Sequence, residues 1–307
     1  MQHIKSIYID WNVFQDVIHE RKGPLLAERL YAAKAKGYAL PYSHAHIYDL
    51  LRGANLDWVK KDLDHIASIT GCLCIGPLKD RSRFSLERVP PLQIYASMAT
   101  QTDELPVVPD SIQFEPYPVD VGKLSENNIV IPYLRDSNNL MSPGVIEKLV
   151  SDFLENALQD YNLHKSFRES LVEVIRLNQP NNEEVKSWPI FQYLLAPAEE
   201  IEENFMMIFR SFLSIDGNVL ENLSDQNKIR TAYGILDFFP AFKERIGKKN
   251  NLNNMITDSL HVYIASQCTH FICGDRKSIT KANVVYRAFG IKTSVHYVTD
   301  FINTVEM

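Results

Sequence analysis

Short apolar stretches at the two ends of the chain have the length and pattern of β-strands. They cover residues 4–9, 38–40, 72–75, 271–273 and 292–298. Apolar residues recur at helical spacing between the first three stretches, over residues 13–20, 25–36, 44–52 and 57–68. Strands that alternate with helices favour a parallel sheet covered by helices, so the pattern predicts an α/β fold class.

The middle of the chain has a different pattern. Residues 90–132 contain seven prolines, which argue against long regular elements there. Helical spacing returns over residues 145–178, 199–213 and 227–239. We therefore predict a discontinuous α/β core, residues 1–79 and 251–307. A Pro-rich segment and a large, mostly α-helical insertion, together residues 80–250, interrupt that core.

The formal net charge of −6 is not evenly distributed. Residues 1–88 carry 13 Lys/Arg and 10 Asp/Glu, and residues 241–307 carry 9 and 5, whereas residues 89–240 carry 10 and 23. The predicted core is therefore basic, and the insertion is acidic. An acidic total thus does not exclude a nucleic-acid partner for the core.

Four aspartates stand where an α/β sheet brings distant residues together. Asp10 follows the first strand, Asp49 lies in the helix after the second, Asp258 begins a helix, and Asp275 follows the strand over 271–273. The carboxyl ends of parallel strands meet at one edge of a sheet, where ligands bind, so we expect these carboxylates to converge there. Each aspartate taken alone also fits a structural role, as a helix cap or a surface residue.

Crowded carboxylates need a metal ion or neighbouring Lys or Arg side chains, because like charges repel one another. Carboxylate oxygens suit Mg²⁺ or Mn²⁺ better than zinc. Such an ion activates water and neutralises charge during hydrolysis of a phosphodiester bond. The sequence has no Gly-rich phosphate loop and no nucleophile elbow, which would favour other chemistry.

The ordered set of acids, with Asn12 two residues after Asp10, resembles the pattern of the PIN-domain nucleases. The resemblance covers roughly residues 1–75 and 252–305 and implies a PIN-like parallel sheet flanked by helices. It implies a metal-dependent endoribonuclease, a hydrolase that serves as a toxin or defence effector or in RNA processing. The implied catalytic residues and ligands of Mg²⁺ or Mn²⁺ are Asp10, Asp49, Asp258 and Asp275. The chain departs from the family at Asp49, where the second acid is usually Glu.

Polar residues close to these acids are the predicted substrate-binding residues. Asn12 is placed to orient Asp10 or a scissile phosphate. The basic residues Arg276, Lys277 and Lys281 follow the last acid and are expected to bind substrate phosphates near the metal. The alternative for these three is a solvated basic face of a helix.

Two further residues lie close to the acids in sequence. His261 is three residues after Asp258, on the same helix face, and either contacts a phosphate, supports Asp258 or packs in the core. Cys273 falls in a predicted strand and is interpreted as core packing.

Two rival functions stay open at this stage. A catalytically weak PIN-fold scaffold would act through its acidic insertion on a protein partner or in a homo-oligomer, and a flap-type nuclease would act on DNA. We expect RNA as the main partner and a cytoplasmic location. We expect no membrane association, since the sequence has no run of about 18 apolar residues and no signal peptide.

Overall fold

The computed structural model describes residues 4–51, 53, 55–77, 84–100, 116–142, 144–145, 148–149, 152, 161–178, 192–193, 196–215, 219–242 and 252–304. The chain divides into two compact units. The first unit contains residues 1–103 and 257–307, and the second contains residues 104–256. None of the helices within the described ranges combines the length and the apolar character that crossing a bilayer requires.

The elements are numbered here in chain order. Residues 4–100 form β1 (Ile4–Ile9), α1 (Trp11–Ile18), α2 (Leu25–Ala35), α3 (His44–Leu51), α4 (Leu56–Thr70), β2 (Leu73–Pro77), β3 (Phe84–Arg88) and α5 (Pro91–Met98). Residues 116–242 form β4 (Tyr117–Pro118), α6 (Ile131–Asp136), β5 (Leu140–Met141), α7 (Tyr161–Asn178), α8 (Ala198–Ile215) and α9 (Asp225–Ile235). Residues 252–304 form α10 (Leu252–Ala265), β6 (Cys268–Cys273), α11 (Arg276–Ala288), β7 (Ser294–Tyr297) and α12 (Val298–Thr304).

A three-stranded parallel sheet, in the order β1–β6–β7, lies at the centre of the first unit. Ile9 lies opposite Ile272, and Ile272 lies opposite His296. Because all three strands run in the same direction, the residues directly after β1 and β6 emerge at the same edge of the sheet.

The segment over 38–42 continues this sheet through isolated bridges, where the sequence pattern predicts a strand. The Ile7 N–H donates to the Ala39 carbonyl over 2.9 Å, and the Ile75 N–H donates to the Tyr42 carbonyl over 2.7 Å. A proline inside the segment has no N–H to donate, which limits regular pairing. The order across the sheet is thus β2, the 38–42 segment, β1, β6 and β7. The strand order reverses between β1 and β6.

Helices bury apolar faces against this sheet. The inward residues of α2 are Leu26, Leu30 and Ala33, at the spacing expected for one face of a helix. They belong to one apolar core with Ile7 and Ile272 of the sheet and with residues of α3, α4 and α12. This core fixes the strands that carry the candidate acids.

The second unit has an apolar core of its own. Buried residues from β4, β5, α6 and α7 pack together around Val130 and Leu134. The Glu173 carboxylate of α7 accepts hydrogen bonds from the Ser125 hydroxyl and the Asn128 amide, both over 2.7 Å. The helix predicted over 145–178 is continuous over 161–178, and much of its earlier part lies outside the described residues.

The first compact unit also contains residues 84–100, which lie beyond the predicted core boundary at residue 79. β3 pairs antiparallel with β2, and the Tyr42 hydroxyl donates to the Val89 carbonyl over 2.6 Å. The prolines at positions 90 and 91 argue against long regular elements, and the helix that follows them, α5, has eight residues. Pro91 is the first residue of α5, a position where no N–H is needed.

Candidate functional site

Asp10 lies at the end of β1 and caps α1. Its Oδ1 accepts from the Val13 N–H over 2.8 Å, and its Oδ2 accepts from the Gly274 N–H over 3.1 Å. Burial raises the pKa of this carboxyl, and hydrogen bonds from Cys273, Val13 and Gly274 oppose that rise. Backbone N–H groups from both ends of the chain therefore fix the orientation of Asp10.

Asp275 lies two residues beyond β6, at the same edge of the sheet, and caps α11. Its Oδ1 accepts from the Lys277 N–H over 2.6 Å and from the Ser278 N–H over 3.4 Å. Gly274, which donates to Asp10, is the residue directly before it. The structure thus brings together two acids that are 265 positions apart in the sequence numbering.

Cys273 links these two aspartates. Its thiol is hydrogen-bonded to Asp10, and its sulfur accepts from the Asp275 N–H over 3.3 Å. Burial raises the pKa of the thiol well above its usual range, and the negative charges of Asp10 and Asp258 raise it further. The residue is buried, as the sequence predicts, but nothing in the sequence indicates its contact with Asp10.

Asp258 lies inside α10, and the prediction that it begins a helix is wrong. The helix begins at Leu252, so Asp258 is almost two turns from its start. Leu252 and Ile256 already follow helical spacing, but Asn253 and Asn254 between them favour a turn locally. The negative charge of Asp258 contributes to the raised pKa of the Cys273 thiol, after burial and Asp10.

Asp49 lies on α3 and is held by a side chain of α10. Its Oδ2 accepts from Nε2 of His261 over 2.9 Å. His261 is only 3% exposed and lies one turn after Asp258 on the same helix. Of the three roles considered for His261, burial as a hydrogen-bonded core residue is observed, with Asp49 as its partner.

A buried polar series extends from this pair and consists of Asp49, His261, Tyr8, Ser43 and His46. The Tyr8 hydroxyl lies 2.7 Å from His261 Nδ1 and 2.6 Å from the Ser43 hydroxyl. Ser43 in turn lies beside His46, with 3.2 Å between the hydroxyl and Nδ1. The sequence does not predict this series, because its members come from three separate elements and have no common motif.

His46 is the last member of the series, and its hydrogen bonds define one tautomer. Its Nδ1 accepts from the Ser43 N–H over 3.0 Å, so Nε2 carries the proton and donates to the Ile9 carbonyl over 2.8 Å. Burial lowers the pKa of His46 well below its usual range, and His261 lowers it further. Ile9 directly precedes Asp10, so the polar series connects the Asp49 helix to the strand that carries Asp10.

The predicted substrate-binding residues lie in different surroundings. Asn12 is exposed, and its Cβ lies 3.2 Å from the position that a Cβ on Gly274 would take. Arg276 and Lys277 are exposed, and the Arg276 guanidinium lies 4.0 Å from the centre of the Tyr297 ring. Lys281 is completely buried. Contact of Lys281 with a substrate phosphate and the alternative of a solvated basic face are therefore both excluded in this structure, because Lys281 lies on the inward face of α11 with Ser278.

The donor chemistry of this edge fits a divalent cation. Asp10 and Asp275 supply carboxylate oxygens, which suit Mg²⁺ or Mn²⁺, and an oxygen that accepts one N–H keeps a second acceptor position. Within the described residues, no three His, Cys, Asp or Glu side chains already stand at the spacing of a metal site.

Comparison with protein-family models, with curated proteins and with solved structures finds no match to this chain.

Proposed function

We propose that this chain is a metal-dependent endoribonuclease with a PIN-like core, in which Asp10, Asp49, Asp258 and Asp275 are the metal-binding acids. The observation that carries the proposal is the meeting of Asp10 and Asp275 at the carboxyl edge of β1 and β6. The Gly274 N–H, hydrogen-bonded to Asp10 over 3.1 Å, joins the two positions.

The strand order favours a ligand at this place. In open α/β sheets, ligands bind outside the carboxyl ends of the strands, where the strand order reverses. Here the order reverses between β1 and β6, the two strands that Asp10 and Asp275 follow. The site is therefore supported by the topology as well as by the residue types.

The side chains have separate roles in phosphodiester hydrolysis. A bound Mg²⁺ or Mn²⁺ would lower the pKa of a water molecule and neutralise charge on the phosphate. Asp10 offers a carboxylate whose orientation is fixed by two backbone N–H groups. Arg276 and Lys277 stand exposed at the N-terminus of α11, beside Asp275, and bind the phosphates of the RNA on either side of the scissile bond.

The test is cleavage of a labelled single-stranded RNA by the purified chain in Mn²⁺ or in chelator. We expect cleavage in Mn²⁺ that is lost in chelator, in Asp10→Asn and in Asp275→Asn. Asp64→Asn changes an exposed aspartate of α4 and serves as the matched control, which should cleave like the wild type. A single-stranded DNA of the same sequence distinguishes an RNA substrate from a DNA substrate.

A second candidate is a catalytically weak PIN-fold scaffold that acts through the acidic insertion. The charge distribution favours it, since residues 89–240 carry 10 Lys/Arg and 23 Asp/Glu, a composition suited to a basic protein partner. Absence of cleavage by the wild type, or cleavage that persists in Asp10→Asn, contradicts the nuclease and leaves the scaffold.

A further inference from the structure

The buried polar series runs from Asp49 to His46. A fully buried polar side chain costs free energy unless it is hydrogen-bonded, so each member of the series depends on its neighbours. Tyr8, Ser43 and His46 are completely buried, and His261 is almost so. Apolar side chains would fill the same space without that requirement. The series ends at the Asp49 carboxylate, whose side chain keeps 16% of its surface exposed.

The hydrogen-bond directions follow from the chemistry of the groups. An ionised carboxylate only accepts, so the His261 Nε2–H donates to Asp49. In the neutral imidazole the other nitrogen, Nδ1, then accepts from the Tyr8 hydroxyl. Each ring nitrogen of His261 thus has a different partner, and rotation of the ring would break both bonds.

A carboxylate, an imidazole and a hydroxyl in this order also form the nucleophilic triads of many hydrolases. That role does not fit here, because the Tyr8 hydroxyl is completely buried between His261 and Ser43. A substrate carbonyl or phosphate has no access to it. The series therefore orients a group instead of attacking one.

We propose that His261 is a positioning residue for Asp49, and that Tyr8 holds His261 in the required orientation. This inference rests on the proposed function, in which Asp49 is the second acid. The Asp49 side chain is one methylene shorter than the Glu usual at that place, and the His261 bond fixes where its carboxylate lies. At its other end the series is hydrogen-bonded to the Ile9 carbonyl, directly before Asp10, and so fixes the position of Asp49 relative to Asp10.

Two variants of His261 separate its two hydrogen bonds. In His261→Gln the side-chain amide nitrogen reaches the place of Nε2 and keeps the bond to Asp49. In His261→Asn the amide reaches only the place of Nδ1, so the bond to Tyr8 is kept and the bond to Asp49 is lost. His65→Gln, an exposed histidine of α4, is the matched control.

The measurements are Mn²⁺ binding, by the electron paramagnetic resonance signal of free Mn²⁺, and the Mn²⁺ dependence of RNA cleavage. For His261→Asn we expect roughly 10- to 100-fold weaker Mn²⁺ binding, the usual cost of removing a partner of a metal ligand. His261→Gln should weaken Mn²⁺ binding by no more than about fivefold, because it keeps the bond to Asp49 and loses only the bond to Tyr8. The double variant Asp49→Asn with His261→Asn should bind no more weakly than Asp49→Asn alone, because His261 acts through Asp49.

Thermal unfolding shows which variants fold. If His261→Asn does not fold, Tyr8→Phe decides, since it keeps the Asp49 bond but frees the ring; about fivefold weaker Mn²⁺ binding is expected. The positioning role is overturned if the variant that decides, His261→Asn or else Tyr8→Phe, is folded and binds Mn²⁺ as tightly as the wild type. That result leaves the proposed nuclease intact. Absence of both Mn²⁺ binding and cleavage in the wild type overturns the nuclease, and the positioning role with it.

Discussion

Asp10 and Asp49 are held by different means. Asp10 accepts from two backbone N–H groups, which are present whatever the side chains at positions 13 and 274. Asp49 is held by His261, which depends in turn on Tyr8 and Ser43. A carboxylate held by backbone tolerates changes in neighbouring side chains, whereas one held by a side-chain series depends on every member.

The largest expected effect comes from lengthening the side chain held by backbone. In Asp10→Glu the added methylene displaces the carboxylate from the Val13 and Gly274 N–H groups. A displacement of about 1 Å at a reacting centre can cost on the order of 100-fold in rate, so RNA cleavage in Mn²⁺ should fall by that factor. Asp64→Glu on α4 is the control. Equal rates for both variants would show that cleavage does not depend on the position in which the Val13 and Gly274 N–H groups hold Asp10.

The side-chain series has a pH dependence that comes from His46. Burial, the first cause, and then His261 hold the pKa of His46 well below the ordinary 6.5. As the pH falls below 6.5 the unfolded chain binds a proton that the folded chain does not, so stability decreases. The contribution of His46 is complete above pH 6.5 and falls by up to about 1.4 kcal/mol per pH unit below it.

Urea unfolding of the wild type and of His46→Gln, at pH values between 7.5 and 5, measures this contribution. The free energy of unfolding of the wild type should fall more steeply towards pH 5 than that of His46→Gln. The same titration of His65→Gln should follow the wild type, because His65 is exposed. Parallel curves for wild type and His46→Gln would contradict a lowered pKa, because they would mean that His46 has the same pKa in the folded and the unfolded chain.

The smallest expected effect tests the turn that carries the Gly274 N–H. In Gly274→Ala the new Cβ would lie 3.2 Å from the Cβ of Asn12, so one of the two must move by a few tenths of an ångström. We expect a loss of about 1 kcal/mol in the free energy of unfolding. Gly234→Ala, where a Cβ meets nothing within 4 Å, should instead gain about 0.5 kcal/mol. A gain in both variants would mean that the turn adapts without cost.

The sequence predicts the features that local patterns determine. The strand before Asp10 and the strand before Asp275 are recognisable because apolar runs end at polar residues. The start of α10 is not, since Asn253 and Asn254 favour a turn locally and the helix forms in spite of them. The sequence also does not show that Lys281 faces inward, because long basic side chains are usually exposed.

The sequence does not predict the polar series, for a different reason. Its members, at positions 8, 43, 46, 49 and 261, meet only after the sheet has assembled, and none of the pairs from different elements has a characteristic spacing. Histidine on an apolar helix face has the same local pattern whether it packs in a core or holds a carboxylate. Tertiary structure alone distinguishes these two roles for His261.

The bond between Asp10 and Gly274 also has a consequence for protein synthesis. A ribosome makes the strand that precedes Asp10 more than 250 residues before it makes Gly274. Until then β1 lacks the neighbour that donates to its carboxylate, so a nascent chain cannot have an assembled site. A fragment that ends before residue 274 therefore lacks the hydrogen bond that joins Asp10 to the end of β6.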